Sequence, residues 1–168
     1  SYSIALDGKG YIYVAGKSAI TINESEWVLL KYKDSGVLQW ARSHPSGEHP
    51  DGGPKVACDQ EGNPYLAGSK YAYTNNKDIF IAKYSMRGQI LWEVTCNGSS
   101  NYDDDVSSLA IDNSGNICAT GSIVNNGTAM DCFTVKYSSL GNLIWSSIFN
   151  GAENNNDAGR KLMFDISG

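Results

Sequence analysis

A stretch of fifteen residues occurs three times along this chain, and that repetition limits the fold more than any other feature. Asp78 to Trp92 reads D-I-F-I-A-K-Y-S-M-R-G-Q-I-L-W. Glu26 to Trp40 and Asp131 to Trp145 keep its acidic residue, Lys-Tyr pair, glycine and tryptophan at the same internal spacing. Other landmarks share the period. Trp40, Trp92 and Trp145 are 52 and 53 residues apart, and Gly16, Gly68 and Gly121 repeat the same intervals. Asp7, Asp59, Asp112 and Asp165 are 52, 53 and 53 apart. A fixed period in this range marks a repeat architecture, in which each unit covers its apolar face with its neighbour.

The repeated stretch reads as a β-hairpin. Ile79 to Ala82 form a short apolar run leading into Lys83-Tyr84, a turn closes at Gly88, and Ile90-Leu91-Trp92 return. The glycine suits the left-handed conformation that closes such a turn. Tyr84 and Trp92 are large enough to contribute on the order of 2–3 kcal/mol each when buried. One such pair per unit points to contact between units, and core packing is their expected role.

The rest of each unit follows a fixed order. A short strand with a central alanine opens it: Ile4-Ala5-Leu6, Val56-Ala57-Cys58 and Leu109-Ala110-Ile111. A D-x-x-G turn follows, from Asp7, Asp59 or Asp112 to Gly10, Gly62 or Gly115. There the aspartate is expected to hold turn amides rather than to act as a catalytic acid. A second strand (Tyr11 to Ala15, Tyr65 to Ala67, Ile117 to Thr120) is expected to end at the repeated glycine. Two segments share almost nothing between units. One lies between strands two and three, the other between consecutive units. Asp51, Asp104 and Asp157 recur inside the second segment, each eight residues before the next turn aspartate.

Composition agrees with many short strands joined by tight turns: glycine is abundant at 18 residues, and charged residues are only 18% of the chain. The net charge of −5 argues against a nucleic-acid partner, because phosphate binding needs clustered Lys and Arg. No apolar run approaches the ~18 residues that span a membrane as a helix. The chain opens at Ser1 inside a strand-like pattern, which reads as a processed or truncated start, so the lack of a signal peptide does not bear on export. Cys58, Cys96, Cys118 and Cys132 include no C-x-x-C pair, and their equivalents in other units are mostly apolar, as with Tyr13 and Tyr65 for Cys118. They are therefore read as small core residues rather than a zinc site or disulfides.

Four sequential strands in about 50 residues is the pattern of a propeller blade. The expected fold is all-β: blades of four antiparallel strands, the first strand near the axis and the fourth at the rim. One repeat region, 1–168, would hold three consecutive blades, approximately 3–51, 52–104 and 105–157, and the first strand of a fourth within 158–168. D-x-x-G-N-x-Y-x-x-G followed by D-x-F-x-x-K-Y-x-x-x-G-x-x-x-W resembles the SBBP class of bacterial β-propeller repeat over nearly the whole chain. Gly8-Lys9-Gly10-Tyr11 lacks the asparagine of that pattern. The resemblance implies a secreted or cell-surface propeller with no established general activity. Three blades cannot close a ring, which needs at least about four. The residues are therefore expected to belong to a ring of six to eight blades, completed by further blades of the same longer chain or by a symmetry partner.

The two variable segments of each unit should fall on one face of such a ring. They would present Tyr71, Tyr73, Tyr102, His44, His49, Asp103, Asp104, Asp105 and Asn154 to Asn156. Aromatic faces beside amides and carboxylates suit a glycan or protein surface, so Tyr71, Tyr73, Tyr102, Asp103 and Asn154 are the candidate ligand-binding residues. Asp103-Asp104-Asp105 is a weak candidate for calcium, lacking the D-x-D-x-D-G spacing; no other cofactor is expected. No G-x-S-x-G, H-E-x-x-H or phosphate loop is present, so no catalytic residue is assigned. The expected function is a non-catalytic scaffold or recognition module. The alternative is a piece of a larger propeller enzyme, quinone-dependent or hydrolytic, whose active residues lie outside this chain.

Overall fold

The computed structural model describes residues 2–21, 24–48, 53–71, 76–100 and 102–165. Tyr73, His49 and Asp51 lie outside the described residues. Among the described residues, the alternation of apolar and polar residues between turn signals produces twelve strands. The first unit holds β1 (Ser3–Leu6), β2 (Tyr11–Ala19), β3 (Glu24–Lys33) and β4 (Leu38–Glu48). The second holds β5 (Lys55–Cys58), β6 (Pro64–Tyr71), β7 (Lys77–Tyr84) and β8 (Ile90–Cys96). The third holds β9 (Asp105–Ile111), β10 (Ile117–Val124), β11 (Met130–Tyr137) and β12 (Leu143–Phe149). Each unit is its own four-stranded antiparallel sheet with strands in chain order, and none of the sheets is closed.

The repeated stretch is the hairpin of strands three and four in every sheet. Gly36, Gly88 and Gly141 close it with φ of 82, 78 and 86°. All three hairpins carry a register shift at the Lys-Tyr pair. Just before the shift, the lysine stands directly opposite the tryptophan: Lys31 on Trp40, Lys83 on Trp92, Lys136 on Trp145. That cross-strand pairing explains why lysine and tryptophan keep one spacing.

The sheets stack face to face, with a core in each junction. Tyr13, Trp27 and Leu29 of the first sheet pack with Leu66, Phe80 and Tyr84 of the second. Tyr65, Ile79 and Ile81 of the second pack with Ile117, Phe133 and Val135 of the third. Most of these side chains are fully buried, which stabilises by about 1.5–3 kcal/mol each. The first strands of consecutive sheets touch. The fourth strand of the third sheet is exposed along its whole length. All four cysteines are free; Cys96 and Cys118 are buried and Cys58 and Cys132 half-buried.

Two expectations are corrected. The second strands do not end at the repeated glycine; they run on to Ala19, Tyr71 and Val124. The glycine makes room instead. A Cβ on Gly121 would lie 1.9 Å from the Asp105 carbonyl oxygen, and one on Gly68 would lie 2.9 Å from Phe80 and 3.1 Å from Trp27 Nε1. The segment 158–165 does not form a strand. It lies where a fourth unit's first strand would: Leu162 N donates to Ser108 Oγ at 3.3 Å, as Val56 N donates to Ser3 Oγ at 3.2 Å. A first strand in this fold pairs with the second strand of its own sheet, and among the described residues 158–165 has none.

Candidate functional site

The recurring residues are occupied in joining one sheet to the next. The Tyr13 hydroxyl donates to the Gly62 carbonyl at 2.8 Å, and the Tyr65 hydroxyl to that of Gly115 at 2.7 Å. Lys31 Nζ and Trp40 Nε1 both donate to the Met86 carbonyl, at 3.2 and 3.0 Å. Lys83 and Trp92 do the same to Ser139, at 3.4 and 3.1 Å. His44 Nδ1 lies 2.9 Å from the Tyr84 hydroxyl, and Cys96 Sγ lies 3.2 Å from that of Tyr137. In every case the side chain of one sheet reaches a turn or the Lys-Tyr tyrosine of the following sheet, so the links have one direction along the stack.

The turn aspartates are structural, as their spacing predicts. Asp112 Oδ1 accepts the amides of Ser114 and Asn116 at 2.9 and 2.8 Å, and Asp7 and Asp59 accept their own turn amides in the same way. Asp59 and Asp112 also pair with the repeat lysine of their own sheet, Lys83 at 3.1 Å and Lys136 at 2.7 Å. Burial alone would raise the Asp112 carboxyl, but Lys136, Asn116 and the turn amides hold it down at about 2.

His44 is corrected. It is not an exposed loop residue but a buried residue of β4, with its ring stacked on Phe80 at 4.3 Å. Burial lowers its pKa, against the pull of Glu93 at 3.6 Å. The sequence hid this environment because the covering surface belongs to the next sheet.

Among the described residues, the loop between strands two and three of the third unit meets the inter-unit segments on either side of it. Ser99 Oγ donates to Asn125 Oδ1 at 3.2 Å, and Asn154 Nδ2 donates to the Gly127 carbonyl at 3.3 Å. The candidate residues separate here by role. Tyr102 is 67% exposed. Tyr71 ends β6, half-buried, with Lys77 Nζ 5.4 Å from its ring centre. Asp103 accepts the Lys77 amide at 3.0 Å and pairs with Lys77 Nζ at 3.3 Å. Asn154 is exposed but holds the turn with a φ of 51°, and its Oδ1 accepts from Asn150 at 3.0 Å.

Asp104 is wholly buried. Its two carboxylate oxygens accept the amides of Gly98 at 2.9 Å and Val124 at 2.8 Å, and its own amide donates to the Lys77 carbonyl at 2.8 Å. Burial pushes its carboxyl up to about 6 against those amides. Asp157 repeats part of the pattern, accepting the Gly151 amide and donating to the Met130 carbonyl, both at 2.6 Å. Asp105 accepts from Ser69 Oγ at 2.8 Å. The three adjacent carboxylates thus serve three different partners. Among the described residues no three His, Cys, Asp or Glu side chains gather as a metal ion requires.

Clefts occur at the opposite edge, between the turns of adjoining sheets. One of about 370 Å³ lies between Asp59-Gln60-Glu61 and Asn113-Ser114, with Lys83 in its wall. Another of about 340 Å³ lies among Tyr11, Lys31, Trp40 and Met86. Both are lined by the residues that join the sheets, which accounts for them as seams. Among the described residues no helix is long and apolar enough to cross a membrane. No family model matches this chain, and no curated protein matches it.

Proposed function

We propose that the three sheets are consecutive blades of a β-propeller, and that the chain is a non-catalytic scaffold that recognises a glycan or protein surface through its loop edge. One observation carries the reading. The repeated tryptophans of the first two units are engaged in links to the next sheet, while the segments that differ most between units hold the exposed Tyr102. Side chains that reach from each sheet to the next support an array that continues into a ring of six to eight blades. The SBBP-type resemblance of the repeat supports the same architecture and a secreted or cell-surface setting.

Tyrosine offers a flat apolar face and a hydroxyl at low entropic cost, and neighbouring Asn and Asp add directional hydrogen bonds. Alanine at Tyr71, Tyr73 and Tyr102 together is expected to abolish binding to a panel of glycans and cell-surface proteins. Undiminished binding by the triple variant, or no binding by the parent to any member, would overturn this reading. Because the carboxylates of Asp103, Asp104 and Asp105 are separately engaged, the melting temperature is expected to be the same in calcium and in chelator.

A further inference from the structure

The seam between the first two sheets holds side chains that joining the sheets does not require. Its cleft is lined by Tyr11, Lys31, Gln39, Trp40, Arg42 and Arg87. Lys31 and Trp40 belong to the repeat, and the other four do not. Tyr11 stands where the later units have Asn63 and Asn116, Gln39 where they have Leu91 and Ile144, and Arg42 where they have Val94 and Ser147. Arg87 stands where the other hairpin turns have Ser35 and Leu140. Departures from the repeat at four positions thus gather in one place. The cleft between the second and third sheets is lined instead by Asp59 and Glu61, with Lys83 as its cation.

Lys31, Arg42 and Arg87 meet at the first cleft in a chain whose net charge is −5. Among the described residues none of the three pairs with a carboxylate, whereas Lys83 and Lys136 pair with the turn aspartates of their own sheets. Lys31 is buried, and its Nζ lies 3.2 Å from the Met86 carbonyl and 3.9 Å from the centre of the Tyr11 ring. Burial lowers its pKa against the pull of Asp7. Arg42 donates to the Gly88, Arg87 and Ala41 carbonyls at 3.0, 3.1 and 2.8 Å and keeps guanidinium N–H groups to spare. Arg87 is exposed. Like charges gathered without a counter-ion repel, and an anion entering the cleft relieves that repulsion.

The walls select among anions. Guanidinium forks match the planar geometry of a carboxylate. Tyr11 and Trp40 give aromatic surface for the face of a sugar ring, and the Gln39 amide gives hydrogen-bonding groups for hydroxyls. The backbone groups engaged by the cations are carbonyls, not the run of amides that cradles a phosphate. A volume of about 340 Å³ lies within the range of small-molecule sites. We propose that this cleft binds a single hexuronate unit, its carboxylate held by Arg42 and Arg87 and its ring packed on Tyr11 and Trp40. The site lies on the edge opposite the loops and is independent of the loop-edge reading, which neutral glycans and proteins test.

The test is calorimetric titration of the 168-residue chain with galacturonate, its neutral methyl ester, acetate and inorganic phosphate. The parent is expected to bind galacturonate with a dissociation constant of about 1 mM or lower, more weakly as salt rises, and to bind the other three at least ~10-fold more weakly. Arg87→Glu alters an exposed side chain and leaves the backbone carbonyl that Arg42 uses. It should weaken binding at least ~10-fold with an unchanged melting temperature, and Arg87→Lys should lose less. Arg160→Glu makes the same charge change at an exposed residue outside the cleft and should bind as the parent does. No binding by the parent, an ester, acetate or phosphate bound as tightly as galacturonate, undiminished binding by Arg87→Glu, or an equal loss in Arg160→Glu would each overturn the proposal.

Discussion

Trp92 and Tyr65 show what the repeated residues do. Each reaches across a junction to a backbone carbonyl of the next sheet, so removing the donor leaves a half-buried acceptor unmet. Tyr65→Phe, which removes only the hydroxyl bonded to Gly115, is expected to cost about 1 kcal/mol in denaturant unfolding; a change within error would show that the bond has no net value. His44 gives a pH signature. The groups facing it are Tyr84, Glu93, Lys70 and Phe80. Its folded pKa is lowered from 6.5, so below that pH the unfolded chain takes up a proton that the folded chain does not, and stability is lost as pH falls. His44→Phe, using the residue found at the equivalent position of the third sheet, should flatten the fall in melting temperature between about pH 7 and pH 5. An unchanged slope would contradict the buried, neutral imidazole. Asp112 acts at lower pH. Its folded value of about 2 lies below 3.8, so its contribution is present above pH 3.8 and lost as pH falls toward 2, and Asp112→Asn should lose less stability over that interval. The aspartate role was legible in D-x-x-G because a turn is local. The lysine role and the burial of His44 were not, because both depend on the facing sheet.

At the scale of the strand, the sequence marked existence and order well and ends poorly. Hairpins with a glycine at fixed distance from Lys-Tyr are specified within fifteen residues, and all three form. The second strands outran their expected ends because Gly16, Gly68 and Gly121 look like turn residues in one dimension. In space all three sit mid-strand, and Gly68 and Gly121 lie hard against neighbouring groups. Gly121→Ala would drive a methyl into the rigid Asp105 carbonyl and is expected to cost about 1–3 kcal/mol or more. Gly68→Ala meets the Phe80 and Trp27 side chains, which can shift, and should cost less. Equal costs would mean that the backbone contact at Gly121 relaxes freely. The longer strands also move Tyr71 from a loop to a strand end, where Lys77 restrains it, leaving Tyr102 as the candidate tyrosine most open to a ligand among the described residues.

For the whole molecule, the two ends of the stack expose what the junctions bury. Ile4 and Leu6 are 65% and 71% exposed on the first sheet, and Trp145 and Phe149 are 43% and 64% exposed on the third. Their equivalents elsewhere are buried or half-buried in junctions, as Val56, Cys58, Trp92 and Cys96 are. Sheet-on-sheet stacking was readable from the period, since a four-stranded unit of this size cannot cover its own apolar face. Ligand identity was not, because the loop edge is where units differ and a single sequence offers no second example of each loop. The central claim is that the repeated tryptophan works across a junction and not within its own sheet. Unfolding free energies of Trp40→Phe, Trp92→Phe and Trp145→Phe in the monomeric chain test it most directly. The first two lose a hydrogen bond to the next sheet, Met86 at 3.0 Å and Ser139 at 3.1 Å, and should each cost about 1 kcal/mol or more, whereas Trp145→Phe should cost close to nothing. Three equal losses would contradict the account.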